Sequence, residues 1–313
     1  MNRRNAVLVA AVALAPAWPR AAFALDTIRV ATGPVDAALE AAYAQRLGFA
    51  AEAGLDCTIE LLGSGAANVA AVLGGAVDIG LSNVLTVLAA HERGVPLGIV
   101  AAAAVYSSKN PTSVLLVPDD SPVRSARDLN GRYVAVSALR DITQFAPMAW
   151  MDANGGDAKS VHFVEIPFPA MPVALAEHRV DAAFITEPFA TRAKDHARVL
   201  APAFDAIAPQ FQISVYAASF SWTAAHPELA RRFAALIYRT GAYANVNRTR
   251  TGEFLMQIAK IDADQLKITP RATYAEHADP AAIKPVIDVA LKYGAIAAPV
   301  APASLFSPEV LRS

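Results

Sequence analysis

Short runs of apolar residues alternate with alanine-rich stretches along the first third of the chain. Each of these mainly apolar stretches is four to ten residues long and is followed by Gly or a polar residue, which is typical of a strand. The runs that predict strands are 28–32, 57–62, 78–81 and 97–106. The segments between them, 37–53, 66–73 and 83–93, predict helices. Strand and helix in strict alternation predict an α/β fold with a parallel sheet and helices on both of its faces.

One phrase of the chain occurs twice. An Ala/Leu-rich stretch ends at a small or polar break, and Val-Asp, a short apolar strand and a polar residue follow, at 72–83 and again at 174–187. The repeat predicts two similar α/β lobes, each sending strand ends toward a shared surface, where ligands of open α/β sheets bind. Such phrases also recur by chance in alanine-rich chains, so this alternative stays open. Asp78 and Asp181 begin their strands, which predicts structural roles for both.

The second half of the pattern predicts that the lobes are not continuous in sequence. Strands are predicted at 114–117, 133–136, 162–166 and 181–185, and 212–217 would return the chain to the first lobe. From Pro227 onward the spacing is helical. We therefore expect lobe one to hold residues 26–107 and 216–313 and lobe two residues 108–215. Two crossing segments would form a hinge.

Residues 1–24 have the features of a secretory signal peptide. Arg3 and Arg4 precede an apolar run over 6–17, and 22–24 reads Ala-Phe-Ala, a small-x-small cleavage site. The paired arginines leave Sec and twin-arginine export both open. Export into a bacterial periplasm is the expected localisation. Cys57 is the only cysteine, so no disulfide can form within the chain, and we expect its thiol to be buried.

Composition narrows the classes of partner. The chain has 313 residues, 55% of them hydrophobic and 18% charged, which suits a folded protein with a large core. Removal of residues 1–24 takes away three arginines and no acid, so the formal net charge falls from −1 to −4. A nucleic acid or an anionic membrane would call for a basic patch, and neither is expected as a partner.

Several phrases together resemble the periplasmic substrate-binding proteins of ABC importers, within the nitrate/sulfonate/taurine and thiamine-pyrimidine binding group. They are the opening strand, Gly-Gly-Ala-Val-Asp-Ile-Gly at 74–80, and the segments 117–123, 128–136, 180–184 and 187–189. The resemblance implies a type II-like clamp of two lobes that closes on a ligand, delivery to an inner-membrane permease, no catalysis and no cofactor. We expect a monomer. Family members often have a Gly/Ser-rich turn where this chain has the bulkier, charged segment 137–141, which puts the usual ligands in doubt.

Candidate ligand-binding residues follow from strand ends and helix starts. They are Asp36, Gly63, Ser64, Ser82, Asn83, Thr112, Ser137, Arg140, Glu187 and Tyr216. Several have an alternative role: 63–65 as a plain turn, Asn83 as a helix cap, Arg140 as a partner of Asp141, and Glu187 as a structural contact. Asp36 is expected to cap a helix first and to touch ligand second.

The expected function is that of an exported solute-binding protein which passes a small polar organic ligand, sulfonate-, taurine- or pyrimidine-like, to an ABC importer. One alternative is an exported sensor without transport. The other is an enzyme similar to the fungal thiamine-pyrimidine synthases. Those enzymes use a histidine and a cysteine-rich segment with iron. This chain has one cysteine and six scattered histidines without metal-ligand spacing, so no enzyme is expected.

Overall fold

A computed structural model describes residues 24–311, so all of the predicted signal peptide except Ala24 lies outside the described residues. The strands are β1 Asp26–Thr32, β2 Leu55–Leu61, β3 Ile79–Asn83, β4 Leu97–Ala102, β5 Ala104–Ser107, β6 Ser113–Pro118, β7 Tyr133–Val136, β8 His162–Glu165, β9 Ala182–Thr186, β10 Ala197–Ala201, β11 Gln210–Gln212, β12 Ser214–Ser219 and β13 Thr273–Tyr274.

Thirteen α-helices lie between and after these strands in the described part of the chain. They are α1 Glu40–Leu47, α2 Phe49–Glu52, α3 Gly65–Leu73, α4 Val84–Glu92, α5 Ile142–Ala153, α6 Met171–Ala176, α7 Phe189–Ala193, α8 Phe220–Ala225, α9 Pro227–Val246, α10 Arg248–Ala259, α11 Ala263–Ile268, α12 Lys284–Lys292 and α13 Pro308–Leu311. None of the helices within residues 24–311 has the length and apolar character that crossing a membrane requires.

The first lobe is built on a five-stranded sheet in the order β2-β1-β3-β12-β4. Strand β1 pairs in parallel with β2 and β3, as predicted. Strand β12 arrives from far along the chain and pairs antiparallel with both β3 and β4. The prediction of a purely parallel sheet was therefore wrong, because the returning strand β12 lies antiparallel between β3 and β4, which helix α4 connects along the chain.

The second lobe repeats this plan with a sheet in the order β10-β6-β9-β7-β8. Strand β7 pairs in parallel with β8 and β9, whereas β6 pairs antiparallel with β9 and β10. The repeated sequence phrase supplies the central strand of each sheet, β3 in one and β9 in the other. The expected fold class, a two-lobed α/β binding-protein fold, is confirmed.

The repeated aspartates hold equivalent positions at the starts of these central strands. Asp78 accepts hydrogen bonds from the backbone N–H and the guanidinium of Arg29 at 2.7–3.1 Å. Asp181 accepts from the backbone N–H of Tyr133 at 2.9 Å and from the guanidinium of Arg132 at 3.2 Å. Both carboxylates thus fasten the central strand to its neighbour, and the structural role expected for them is confirmed.

The chain passes twice between the two large sheets. Strand β5 leaves the first lobe and β11 leads back to it, and the two pair antiparallel in a small sheet that β13 extends. This arrangement is compatible with the expected hinge of two crossing segments. The lobe boundaries at 107/108 and 215/216 stay a prediction.

The helix predicted over 37–53 is shorter and divided. A turn of 3-10 helix spans Asp36–Ala38, and Gly48, with φ of 80°, separates α1 from α2. Glycine adopts this left-handed conformation without steric cost, which ends α1 at Leu47. Helix α9 agrees with the helical spacing predicted from Pro227 onward. It buries Phe233, Leu236 and Ile237, and the Phe233 ring packs against the Tyr216 ring of β12 at 5.3 Å between centroids.

Asp36 does not cap a helix, contrary to expectation. No side chain caps the 3-10 turn or α1. The Asp36 carboxylate is 1% exposed and receives two hydrogen bonds from the Arg271 guanidinium, at 2.8 and 3.0 Å. The Tyr43 hydroxyl and the Ala272 N–H also donate to it, both at 2.7 Å. Burial alone would raise the pKa of Asp36, but Arg271 and these donors outweigh it and hold the pKa below its usual value.

Arg271→Met is expected to destabilise the protein strongly, because it leaves the buried Asp36 carboxylate without its counter-charge. Removal of one partner of a buried ion pair typically costs about 3–5 kcal/mol. Urea unfolding followed by circular dichroism measures this loss. Arg231→Met is the matched control: its pair with Glu228 is exposed, and its loss is expected to cost at most about 1 kcal/mol. Equal losses in the two variants would contradict the role given to the buried pair.

Candidate functional site

A cleft lies between the two large sheets at the carboxyl ends of β1, β2, β3, β7 and β9. It encloses about 100 Å³ of space that the centre of a water molecule can reach. A single water needs about 10–15 Å³ of such space, so a small organic molecule is a better match for its size. The lining residues are Gly33, Pro34, Val35, Ala37, Ala38, Leu62, Gly63, Ser64, Gly65, Asn68, Leu81, Ser82, Asn83, Ser137, Asp141, Ile142, Thr143, Phe168, Pro169, Thr186, Ile213 and Ser214.

Three helices begin at this cleft, and each has a side-chain cap in the cleft wall. Ser64 accepts from the Ala67 N–H at the start of α3 at 3.2 Å, and Asn83 accepts from the Thr86 N–H of α4 at 2.9 Å. Asp141 accepts from the Thr143 N–H of α5 at 2.8 Å. Helix N-termini carry partial positive charge and free N–H groups. Their convergence favours an anionic or polar ligand group.

The lobes meet across the cleft through side chains that also cap helices. The Asn83 amide of the first lobe donates to Oδ2 of Asp141 in the second lobe at 3.1 Å. Nearby, the backbone N–H of Asp36 donates to the Glu187 carbonyl at 3.3 Å. Burial raises the pKa of Asp141 to about 6, and hydrogen bonds from Thr143, Gln144 and Asn83 limit the rise. The cleft is therefore a largely buried polar site bounded by both lobes.

Formal charge is scarce in the cleft wall. Of the lining residues, Asp141 alone has an ionisable acidic side chain, and none is lysine or arginine. Apolar side chains, among them Leu62, Ile142 and Phe168, make up much of the remaining wall. Backbone groups, hydroxyls and amides are thus the main polar groups that line the cleft, together with one carboxyl group.

Five of the ten candidate residues predicted from the sequence line the cleft: Gly63, Ser64, Ser82, Asn83 and Ser137. Each follows a predicted strand, at the strand end where open α/β sheets bind ligands. The alternative for Asn83 also holds, because it caps α4 while it lines the cleft, and Ser64 in the turn 63–65 caps α3. Ligand contact by these five residues remains a prediction.

Two acidic candidates lie outside the cleft wall. Asp36 is fully occupied by Arg271 and its other donors, as described above. Glu187 is 2% exposed, and its Oε2 accepts from the Thr191 N–H at 2.8 Å, so its carboxylate is turned toward α7. This arrangement is a structural contact at a helix end, which was the alternative role considered for Glu187.

The remaining three candidates also lie outside the lining. Thr112 uses its carbonyl to accept from the Glu187 N–H at 2.8 Å. Arg140 is exposed and borders a separate surface depression beside α4. Tyr216 is completely buried, with its hydroxyl accepting from the Ala41 N–H and donating to Glu40. None of the three has a side chain in the described cleft wall.

Comparison with known proteins agrees with this two-lobed arrangement. The model of the family described as "NMT1/THI5 like" matches residues 39–247, well over half of the chain. The chain belongs to the NMT1/THI5-like family. A search of curated proteins finds no match to it.

Three solved structures illustrate the likeness in fold. The ligand-binding component of an ABC-type import system from Staphylococcus aureus, with zinc bound, has a TM-score of 0.79 at 13% identity, over 92% of this chain and 98% of that one. The alkanesulfonate-binding protein SsuA from Xanthomonas axonopodis pv. citri, bound to MOPS, has a TM-score of 0.73 at 16% identity, over 90% and 97%. The desulfurization enzyme DSZB has a TM-score of 0.66 at 17% identity, over 92% and 98%.

Because this fold also occurs in a protein named as an enzyme, the reactive groups of this NMT1/THI5-like chain bear on whether it could catalyse a reaction. Cys57 is fully buried in β2, as expected, and burial raises the pKa of its thiol to about 12. A thiol in that state is a poor nucleophile, since the thiolate is the reactive form. Among residues 24–311, no group of three or more His, Cys, Asp or Glu side chains is arranged to hold a metal.

Sequence reasoning missed several polar residues of the cleft wall. Asn68 lies inside α3, and Ser214 starts the returning strand. Asp141 and Thr143 lie in the strand-end loop 137–143, of which only Ser137 and Arg140 were named as candidates. The Asp-x-Thr spacing before an apolar helix was a usable signal for a cap at a strand-end loop. Nothing in the sequence marks Asn68, because its inward position depends on how α3 packs on β3.

A buried carboxyl group lies beneath the first lobe's sheet. Glu40 is 0% exposed; its Oε2 accepts from the Tyr216 hydroxyl at 3.4 Å, and its Oε1 has no hydrogen-bond partner within the described structure. Burial raises the pKa of Glu40 to about 8. The neutral acid is therefore the form that the folded state prefers.

Glu40→Gln is expected to make the protein more stable at alkaline pH. The stabilising contribution of protonated Glu40 is fully present below pH 4.5 and is lost as the pH rises from there through about 8. The neutral amide does not titrate, so its advantage grows over this range to the order of a few kcal/mol. Thermal unfolding at pH 4.5, 6.5 and 8.5 measures it, with exposed Glu60→Gln as the control. An advantage independent of pH would contradict the assignment.

Proposed function

We propose that this NMT1/THI5-like protein is an exported solute-binding protein that captures a small polar organic ligand between its lobes and delivers it to the permease of an ABC importer. The observation that carries the proposal is the cleft itself. Helix starts from both lobes line it, and Asn83 and Asp141 hydrogen-bond across it. Of the solved structures of similar fold, one is named as the ligand-binding component of an ABC-type import system and another as an alkanesulfonate-binding protein.

The wall of the cleft favours an organic ligand with a polar or anionic head. The N-termini of α3, α4 and α5 can receive the head group, and the apolar side chains can receive a short hydrocarbon or ring. The absence of lysine and arginine from the described lining disfavours a small multivalent inorganic anion, which such side chains usually bind. A sulfonate-, taurine- or pyrimidine-like ligand fits these conditions.

Closure gives such a protein its function. A ligand shifts an open–closed equilibrium only if it binds the closed state better, and contact with both lobes provides that difference. The cleft offers contacts from Ser64 and Asn83 on one side and from Asp141 on the other. The closed form would act as a monomer in the periplasm, where a permease would recognise it. The negative net charge of the protein suits neither a nucleic acid nor an anionic membrane as a partner.

A thermal-shift screen of residues 25–313 tests the proposal. We expect a rise in melting temperature with one of the alkanesulfonates, taurine or pyrimidines, because a ligand that binds only the folded state stabilises it by mass action. Mass spectrometry of the denatured protein identifies any ligand that co-purifies. No shift and no co-purified molecule would count against a solute-binding role, and a shift with nitrate alone would contradict an organic ligand.

Asn83→Ser is expected to weaken binding of the ligand so identified. Serine retains the helix cap of α4 but cannot reach Asp141, so the closed state loses its hydrogen bond across the cleft. A net loss of about 1 kcal/mol corresponds to a Kd about fivefold higher. Isothermal titration calorimetry measures it. Arg140→Ser, outside the lining, serves as the control, and an unchanged Kd in Asn83→Ser would show that the cleft is misplaced.

A further inference from the structure

Two buried polar atoms in the cleft wall have no hydrogen-bond partner within the described residues. They are Oδ1 of Asn68 and Oγ of Ser82, whose residues are 1% and 0% exposed. Buried polar atoms are nearly always paired, so each exception calls for an explanation. Both residues line the cleft, and a bound ligand is a partner that explains the two together.

The Asn68 amide is held in one orientation by the sheet beneath α3. Its Nδ2 donates to the Leu81 carbonyl of β3 at 2.7 Å. A carbonyl can only accept, so the amide cannot turn over without placing two acceptors against each other. The Oδ1 atom is thereby fixed as an acceptor, and it requires a donor from the cleft.

The Ser82 hydroxyl lies close to the first residue of α3. A methyl group on Gly65 would come within 2.7 Å of the Ser82 Oγ and 3.1 Å of its Cα. Glycine at this position therefore leaves the space beside the hydroxyl unfilled. Asp141 completes the set, since its Oδ2 accepts only the hydrogen bond from Asn83 among the described contacts.

We propose that the ligand carries an N–H donor, as an amine or a ring N–H, and that Asn68 and Ser82 select it by receiving this group while the helix starts receive its polar or anionic end. This inference rests on the proposed function and narrows it to ligands that bear nitrogen–hydrogen groups. Asp141 lies in the same wall, so a cationic amine gains a second acceptor of opposite charge.

The site selects between ligands because a molecule without the N–H donor is bound less well. A site built to hydrogen-bond a ligand N–H rejects an analogue without it, because its buried polar groups then stay unpaired. A methyl group in place of the amine keeps the size of the ligand but provides no donor. The cleft should therefore discriminate within pairs of otherwise similar molecules.

Calorimetric titration of the mature protein with matched pairs tests the proposal. One pair is taurine and propane-1-sulfonate, and another is a 4-aminopyrimidine and the corresponding 4-methylpyrimidine. We expect at least one N–H member to bind, and to bind at least about tenfold more tightly than its partner. Equal binding within a pair would overturn this inference and leave the proposed function standing. Binding by neither member of any pair, with nothing co-purified, would contradict both.

Two variants test whether Ser82 and Asn68 are responsible for the preference for N–H ligands. Ser82→Ala removes an atom that has no protein partner, so the fold is expected to tolerate it while the preference for the N–H member falls severalfold. Asn68→Leu should abolish the preference for the N–H member. The melting temperature of this variant shows whether it is folded. If it is not folded, the result for Ser82→Ala decides the test. Thr58→Ala, exposed on β2, is the matched control. A preference unchanged in Ser82→Ala and in folded Asn68→Leu would contradict the assignment.

Discussion

The buried pair of Asp36 and Arg271 fixes the loop on which the cleft depends. The two residues are 235 positions apart in sequence, and their ion pair fastens the loop after β1 to the C-terminal helical region. Tyr274 donates to the Asp36 carbonyl at 2.6 Å as well. The neighbours of Asp36 in this loop line the cleft, so its wall is positioned by a part of the chain that contributes no lining residue itself.

The polar groups of the cleft wall belong to the backbone, to neutral side chains and to the single carboxyl group of Asp141. Ser64, Asn83 and Asp141 each cap a helix, so the groups that define the wall are held in place by the secondary structure they terminate. Asn83 and Asp141 also reach each other across the lobes. A ligand that contacted these groups would touch both lobes, and under the proposed function such contacts would favour the closed state.

The order of elements and the strand-end residues Gly63, Ser64, Ser82 and Asn83 could be predicted, because they depend on local pattern and on the general behaviour of α/β sheets. Asp36, Glu187 and Tyr216 could not be placed from sequence. Their polar groups are occupied by Arg271, by Thr191 and by Glu40 with Ala41, and such pairings are decided by tertiary packing. The returning strand was predicted over 212–217, but its antiparallel pairing as β12 was not, since its direction depends on a distant crossing of the chain.

The most direct test of a ligand site between the lobes is to lock the lobes together. A Cβ on Gly63 would lie 3.9 Å from the Cβ of Pro167 in the opposite lobe, a separation that suits a disulfide. Native Cys57 is buried and should not interfere. In Gly63→Cys/Pro167→Cys we expect the oxidised, ligand-free protein to bind ligand at least tenfold more slowly than the reduced protein, measured by stopped-flow fluorescence. Equal association rates in a fully oxidised sample would contradict binding between the lobes.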